Sequence, residues 1–380
     1  MERLGQELRD APGDGAILAW TPETPRMKLP EELAGLADPL EIARERGLRE
    51  DLASAEWRVR WLGVILAVAA GWEALVATLA AGRFGITGLP ERMLFGLRAV
   101  FGSTTLGLAL LGWLIFGFIP WYQAHKRQAE FARRTPDGIA RLIPLLRFET
   151  WLASQHAPLT RFLMGLIGLV WLAQWWSDGS VFFVGHSAEA AGLAKAPYHA
   201  GQWWRLFTAP LVHGGLVHFL MNGAALLYLG KRLEVLARWP HLPLVFLFAA
   251  CVGGETSARF VQATSVGASG GLMGWLGFLI VFETLHRRLV PRSARRRLVA
   301  GVILTGLIGL LGYRFIDNAA HLGGLLAGIA YALIVFPRSV SAARPGTTLP
   351  DRVAGSAALL VLIAAAAWAI RQILTGTSSV

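Results

Sequence analysis

A single cysteine, Cys251, in 380 residues leaves no partner for an intrachain disulfide and no thiol cluster for zinc. It lies in an apolar run and reads as a small core residue. Charge is also scarce: charged residues make up 16% of the chain, and 25 acidic side chains face 36 basic ones, for a net charge of +11. The excess does not point to nucleic acid. Its lysines and arginines sit in short connections between apolar runs, where a nucleic-acid partner would need them gathered on one folded face. An early apolar core with a cleavage site is missing too, because residues 1–56 are polar, charged and interrupted by Pro22, Pro25 and Pro30. That argues against a cleavable signal peptide, so the first spanning helix is expected to serve as the insertion signal.

What the chain has in abundance is apolar sequence: 54% of residues, at a mean hydropathy of +0.48. A run of about 18 mostly apolar residues crosses the hydrocarbon core as a helix. Nine such runs are expected, at 61–81, 97–121, 159–176, 216–236, 242–260, 269–286, 298–315, 319–336 and 353–373. The fold class is therefore an all-α polytopic membrane protein. The chain divides into a cytoplasmic tail over 1–56, two accessory spanning helices within 57–122 and a basic cytoplasmic linker over 123–158. A six-helix block over 159–336 follows, and 337–380 carries a cytoplasmic loop, one further spanning helix and a short external tail. No inverted repeat suggests a transporter.

Every second connection is basic: Lys126, Arg127, Arg133 and Arg134, then Lys231, Arg232 and Arg238, then Arg287 to Arg297, then Arg338, Arg344 and Arg352. The positive-inside rule assigns these to the cytoplasm, together with the N-terminus. The helices starting near 216, 269 and 319 then all run from outside to inside. Ser269 and His321, 52 residues apart, are placed at one depth near the outer face. His218 and Asn222 enter the same layer, one about 5.4 Å turn apart on a shared helix face.

Polar side chains at membrane depth normally face a cavity or a protein interior, and mark function by default. A serine hydroxyl is a poor nucleophile until a base takes its proton, and His321 can serve as that base and return the proton to a leaving amine. An acyl-transfer intermediate also needs donors for its oxyanion. Asn222, His218 and the N–H groups opening the Ser269 helix are candidates. Asp317 and Asn318, four and three residues before His321, could touch it locally, but a Ser/His dyad is the simpler arrangement. Each residue alone has a plainer reading: Ser269 as packing, Asn222 as interhelical glue, His218 as a satisfied core histidine. The other histidines, His125, His156, His186, His199, His241 and His286, fall in loops or at helix ends and read as solvated. Gly270 and Gly274 on the serine helix, and Gly324 and Gly328 on the histidine helix, have the small-residue spacing that lets helices approach closely in lipid.

These residues resemble the rhomboid intramembrane serine proteases over about 159–336. The resemblance rests on Trp204-Arg205 followed by Phe207-Thr208, then His213, His218 and Asn222, then Gly230 and Glu234, then Gly267-Ala268-Ser269-Gly270, then His321 with Gly324 and Gly328. It implies a six-helix rhomboid-like bundle, here with two extra helices before it and one after. It implies Ser269 as nucleophile, His321 as base, and His218 and Asn222 at the oxyanion. It further implies that the Trp204-Arg205 loop is a structural element in the outer leaflet, with substrates that are single-pass or other transmembrane proteins cut in or near their span without metal or cofactor. The position four after the serine, usually aromatic in the family, is Met273. A catalytically silent rhomboid-like protein that binds or sorts membrane helices is the alternative. Rich Ala, Arg and Gly usage suggests a bacterial plasma membrane.

Overall fold

The apolar runs form helices because a backbone in lipid must satisfy its own hydrogen bonds. The computed structural model describes residue 6 and residues 35–133, 136–181, 184–313, 316–341 and 343–376; the proline-bearing stretch of the tail and Arg134 lie outside the described residues. Among the described residues every regular element is helical, and the one extended pairing is an isolated antiparallel bridge between Leu193 and Ser265. The chain is an all-α, multi-pass membrane protein. It forms two compact units, residues 1–153 and 154–380.

In the first unit, α1 (Ala37–Ala80) is one helix of 44 residues, so the charge-rich stretch 41–56 and the first apolar run are continuous. α2 (Leu89–Gly102) and α3 (Thr104–Trp113) split the second apolar run. Ser103 leaves the helix with an extended backbone and accepts from Leu106 N–H with its own hydroxyl oxygen, which starts a new helix. That hydroxyl donates to Glu73 on α1 at 2.9 Å. A π turn over Leu114–Phe118 leads into α4 (Ile119–Ala132), and α5 (Pro136–Ser154) ends the unit.

The second unit opens with α6 (Pro158–Asp178), whose start is capped by a carboxylate from elsewhere: Glu234 accepts from Leu159 N, Thr160 N and the Thr160 hydroxyl. Three short helices follow, α7 (His186–Ala191), α8 (Lys195–His199) and α9 (Arg205–Thr208). They precede α10 (Leu216–Ala237), α11 (His241–Phe260), α12 (Ser269–Leu285), α13 (Arg292–Leu311), α14 (Asn318–Val335) and α15 (Leu349–Thr375). α12 and α14 pair most closely, α11 packs on both, and α15 lies against α6, α11 and the short helices.

Among the described residues five helical stretches are long and apolar enough to cross a membrane, six if α9 and α10, bent by 93°, form one broken span; α12 is a shorter apolar helix. Nine runs were expected, and the shortfall has local causes. The 97–121 run is cut at Ser103, and α13 is entered through Arg292, Arg295, Arg296 and Arg297, which makes its first turns polar. Arg232, placed above in a basic connection, is instead 2% exposed inside α10, where it forms a bidentate pair with the fully buried Glu283 of α12. A guanidinium fork satisfied by one carboxylate is how such charges are accommodated inside a bundle. His241 and His286 are also buried rather than solvated: His241 shares a 2.9 Å hydrogen bond with the Tyr331 hydroxyl, and His286 stacks on Phe282.

Candidate active site

Ser269 is the first residue of α12, and the backbone that delivers it is tightly specified. Gly267 has φ 118°, a region that side chains rarely adopt, and its N–H donates to Ala209 O at 3.0 Å. A Cβ at 267 would also stand 2.6 Å from His218 Cε1 and 2.8 Å from His218 Nε2, with Asn222 Nδ2 at 3.4 Å. The glycine is thus required by conformation and by the close approach of α10. The first intrahelical bond of α12 runs from Leu272 N to Ala268 O, so the N–H groups of Ser269, Gly270 and Gly271 lie outside the helical ladder.

His321 stands in the first turn of α14. Asp317 caps that helix by accepting Ala320 N–H at 2.9 Å, and His321 N–H donates to the Asp317 carbonyl. The helix starts that carry Ser269 and His321 meet through the residues beside them. A Cβ on Gly270 would sit 3.6 Å from Ala320 O, while one on Gly324 would collide with Gly270 O and one on Gly328 with Gly274 O. Gly274 in turn meets Ala249 of α11. The small residues let two backbones meet directly, which sets the approach of the two helices.

Hydrogen-bond bookkeeping separates the side chains that are committed from those that are free. His218 Nδ1 accepts Gly214 N–H at 3.3 Å, which puts the neutral ring's proton on Nε2, on the side of the ring that faces Gly267. Asn222 is 7% exposed, and its Nδ2 is buried with no hydrogen-bond partner. His321 Nδ1 is buried and unpartnered as well. Asp317 does not orient that ring, since its oxygens serve Ala320 N–H and the hydroxyls of Ser257 and Ser265. Asn318 does not either, because its amide donates to Gly309 O. The side chains of Ser269 and His321 are not hydrogen-bonded to each other in this geometry, as is common before a substrate closes a site. A pocket of about 40 Å³ opens beside Ser269, lined by Gly267, Gly270 and Gly271 and also by Ser257, Ser265 and Asp317.

The remaining candidate residues lie at graded distances. His213 is fully buried, edge-on to His218 with ring centroids 5.3 Å apart, and its backbone N–H is held by Gln174 Oε1. Met273 is buried one turn along α12 from Ser269. Trp204 and Arg205 organise the short helices instead: Arg205 donates to Glu189 O, Gly192 O and Gln202 Oε1 and lies over the Trp204 ring, which meets Trp368 of α15. Glu234 is far from the serine, at the opposite end of α10, where it caps α6. Lys195, Ser257 and Ser265 were not foreseen. Lys195 looks like a loop cation in sequence, and nothing in its spacing reveals that it is 6% exposed.

Fold and site together define a polytopic helical membrane protein with a serine, an imidazole and an unpaired amide gathered at the ends of three helices. Residues 200–338 match the model of the Rhomboid domain, which supports a rhomboid family assignment. It is 35% identical over 151 residues to RHOMBOID-like protein 6, mitochondrial, of Arabidopsis thaliana, covering 38% of this chain and 48% of that one. It is 32% identical over 144 residues to Rhomboid protease GluP of Bacillus subtilis, covering 37% and 27%. It is also 32% identical over 139 residues to Inactive rhomboid protein 2 of Homo sapiens, covering 36% and 16%. The matched region spans less than half the length of each of these relatives.

Proposed function

We propose that this protein is an intramembrane serine endopeptidase that cuts transmembrane protein substrates within or near their spanning helix by a Ser269/His321 dyad. The observation that carries the reading is the buried, unpartnered Nδ2 of Asn222, beside His218 Nε2 at the loop that delivers Ser269. A buried donor without an acceptor costs free energy unless something arrives to use it, and an oxyanion at Ser269 would do so. In this reading Ser269 Oγ attacks the scissile carbonyl as His321 takes its proton, and the charged oxygen is held by Asn222 Nδ2–H, His218 Nε2–H and the free N–H groups opening α12. His321 then passes the proton to the leaving amine, and a water repeats the cycle on the acyl-enzyme. The chemistry uses no metal or cofactor. Residues 159–336 would be the catalytic core, 57–122 and the last helix accessory elements, and lipid the surrounding solvent. The basic connections support a cytoplasmic N-terminus and a site near the outer face, and the Ala, Arg and Gly usage supports a bacterial plasma membrane.

A second reading, a silent rhomboid-like binder of membrane helices, is favoured by the similarity to Inactive rhomboid protein 2. A fluorophosphonate probe separates the two. The protease reading expects covalent labelling of the purified wild-type chain and none of Ser269→Ala, whereas an unlabelled wild-type chain that binds helices supports the silent reading.

A further inference from the structure

Ser257, Ser265 and Asp317, three residues that line the pocket beside Ser269, belong to a charged network that the dyad does not use. Lys195 Nζ donates to Ser257 Oγ at 2.7 Å and to Ser265 Oγ at 2.8 Å. Both hydroxyls pass their own protons on to Asp317 Oδ2, while Oδ1 of the same carboxylate caps α14. The ammonium only donates and the carboxylate only accepts; the two hydroxyl oxygens also lie 2.9 Å from each other, and a proton shared there is one withdrawn from Asp317. Four separate pieces of chain meet here: α8, the end of α11, the 261–268 loop and the start of α14.

The placement of this network matters more than its contribution to stability. Ser265 lies four residues before Ser269, and its backbone pairs with Leu193 through N–H···O bonds of 2.8 and 3.2 Å, two residues before Lys195. Asp317 lies four residues before His321 and terminates the same helix. The network therefore grips the segment that presents the nucleophile and the cap that presents the base. Lys195 is 6% exposed, and a buried ammonium is tolerated only where charge and hydrogen bonds compensate it. Asp317 is the charged group facing it; Ser257 and Ser265 are the groups presented by α11 and the loop, and the nearby Tyr198 and Glu255 are paired with each other.

We propose that Lys195 and Asp317, joined through the hydroxyls of Ser257 and Ser265, are positioning residues that fix the seat of Ser269 against His321. The proposal rests on the protease reading, and its effect is on turnover rather than on substrate binding. Neither residue touches the reacting atoms. Burial also lowers the Lys195 ammonium to about 8, so the clamp loses its positive end within reach of ordinary assay conditions.

The test uses the full chain reconstituted in liposomes with a transmembrane reporter. Asp317→Asn keeps an amide oxygen for the Ala320 N–H but removes the charge facing Lys195, and Lys195→Met removes the other charge at similar volume. Each single variant is expected to lower kcat by about tenfold to a hundredfold with KM unchanged, because small misplacements of reacting groups are costly. The double variant should recover part of that loss, since no buried charge is left unpaired. Wild-type turnover should fall above pH 8, and this limb should be absent in Lys195→Met. Ser265→Ala removes one bridge and leaves both charges; it should show a smaller loss and remains readable if the charge variants fail to accumulate. The clamp also predicts faster amide hydrogen exchange at Ser265 and Gly267 in Asp317→Asn, by about tenfold, which can be measured without catalysis. Singles within about twofold of wild type in kcat, or a double variant equal to the product of the singles, would overturn it. So would unchanged exchange in a folded variant. An unlabelled wild-type Ser269 defeats the protease reading instead, and the exchange measurement keeps the two failures apart.

Discussion

Gly324 of α14 lies against the carbonyl of Gly270 on α12, so closely that a Cβ at 324 would overlap that oxygen. One turn further on, Gly328 stands in the same relation to Gly274. The two helices that carry Ser269 and His321 are therefore held at backbone contact.

That contact predicts the effect of enlarging it. Gly328→Val and Gly274→Val should separate α12 from α14 and lower turnover by about a hundredfold, although neither position faces the reacting atoms. Cleavage of a reporter membrane helix, compared at equal amounts of folded protein, checks this. Wild-type rates in both variants would show that the spacing of the helices does not set the geometry of the dyad.

Nucleophile and base act as one unit in the proposed chemistry. Ser269→Ala and His321→Ala should each abolish cleavage, and the double variant should be no worse than either single one. Single-turnover assays on the three variants provide the comparison. Residual turnover above background in a well-folded Ser269→Ala protein would remove the dyad from consideration.

The candidate site was legible in sequence to the extent that its residues are polar islands in apolar runs. Ser269, His321, His218 and Asn222 stand out because lipid makes polar side chains expensive, and the glycines beside them announce close helix approach. Arg232, His241 and His286 were misplaced for the converse reason. Near the ends of apolar runs a charged or imidazole side chain reads as solvated, and only the fold shows that Glu283 or Tyr331 waits opposite. Glu234 shows a third limit. It belongs to the same motif string as His218, yet a helix of 22 residues carries it to the other end of the bundle. The Lys195 network depends on contacts 62 and 70 residues apart, which no local spacing encodes.

The same lysine predicts how stability depends on pH. Burial lowers its folded value to about 8 from the ordinary 10.5. Between these limits the unfolded chain binds more protons than the folded one, so the Lys195 contribution rises with pH across that window and is flat on either side. Thermal unfolding in detergent from pH 7 to 11 should show this slope in wild type and its loss in Lys195→Met. An identical pH dependence in the two proteins would mean that the ammonium is solvated.

Membrane orientation is open to direct measurement. With Cys251→Ala as background, single cysteines placed over residues 287–297 should react with a membrane-impermeant reagent only from the cytoplasmic side, and those over 202–213 only from outside. Labelling of both regions from one side would leave the proposed placement of the candidate site near the outer face without support.

Asn222 offers the sharpest separation of a catalytic from a structural role. If it were glue between helices, its amide would be bonded across an interface, but its buried Nδ2 has no partner. Replacing it with alanine removes an unsatisfied donor, so the melting temperature should hardly move, with a change in stability within about 1 kcal/mol. Turnover should nevertheless fall by about a hundredfold, the loss expected when one oxyanion donor worth ~3 kcal/mol is removed. The combination is diagnostic because no loss of packing gives a slow enzyme of unchanged stability. An Asn222→Ala protein that melts far below wild type, or turns over at the wild-type rate, would take the amide out of the oxyanion site.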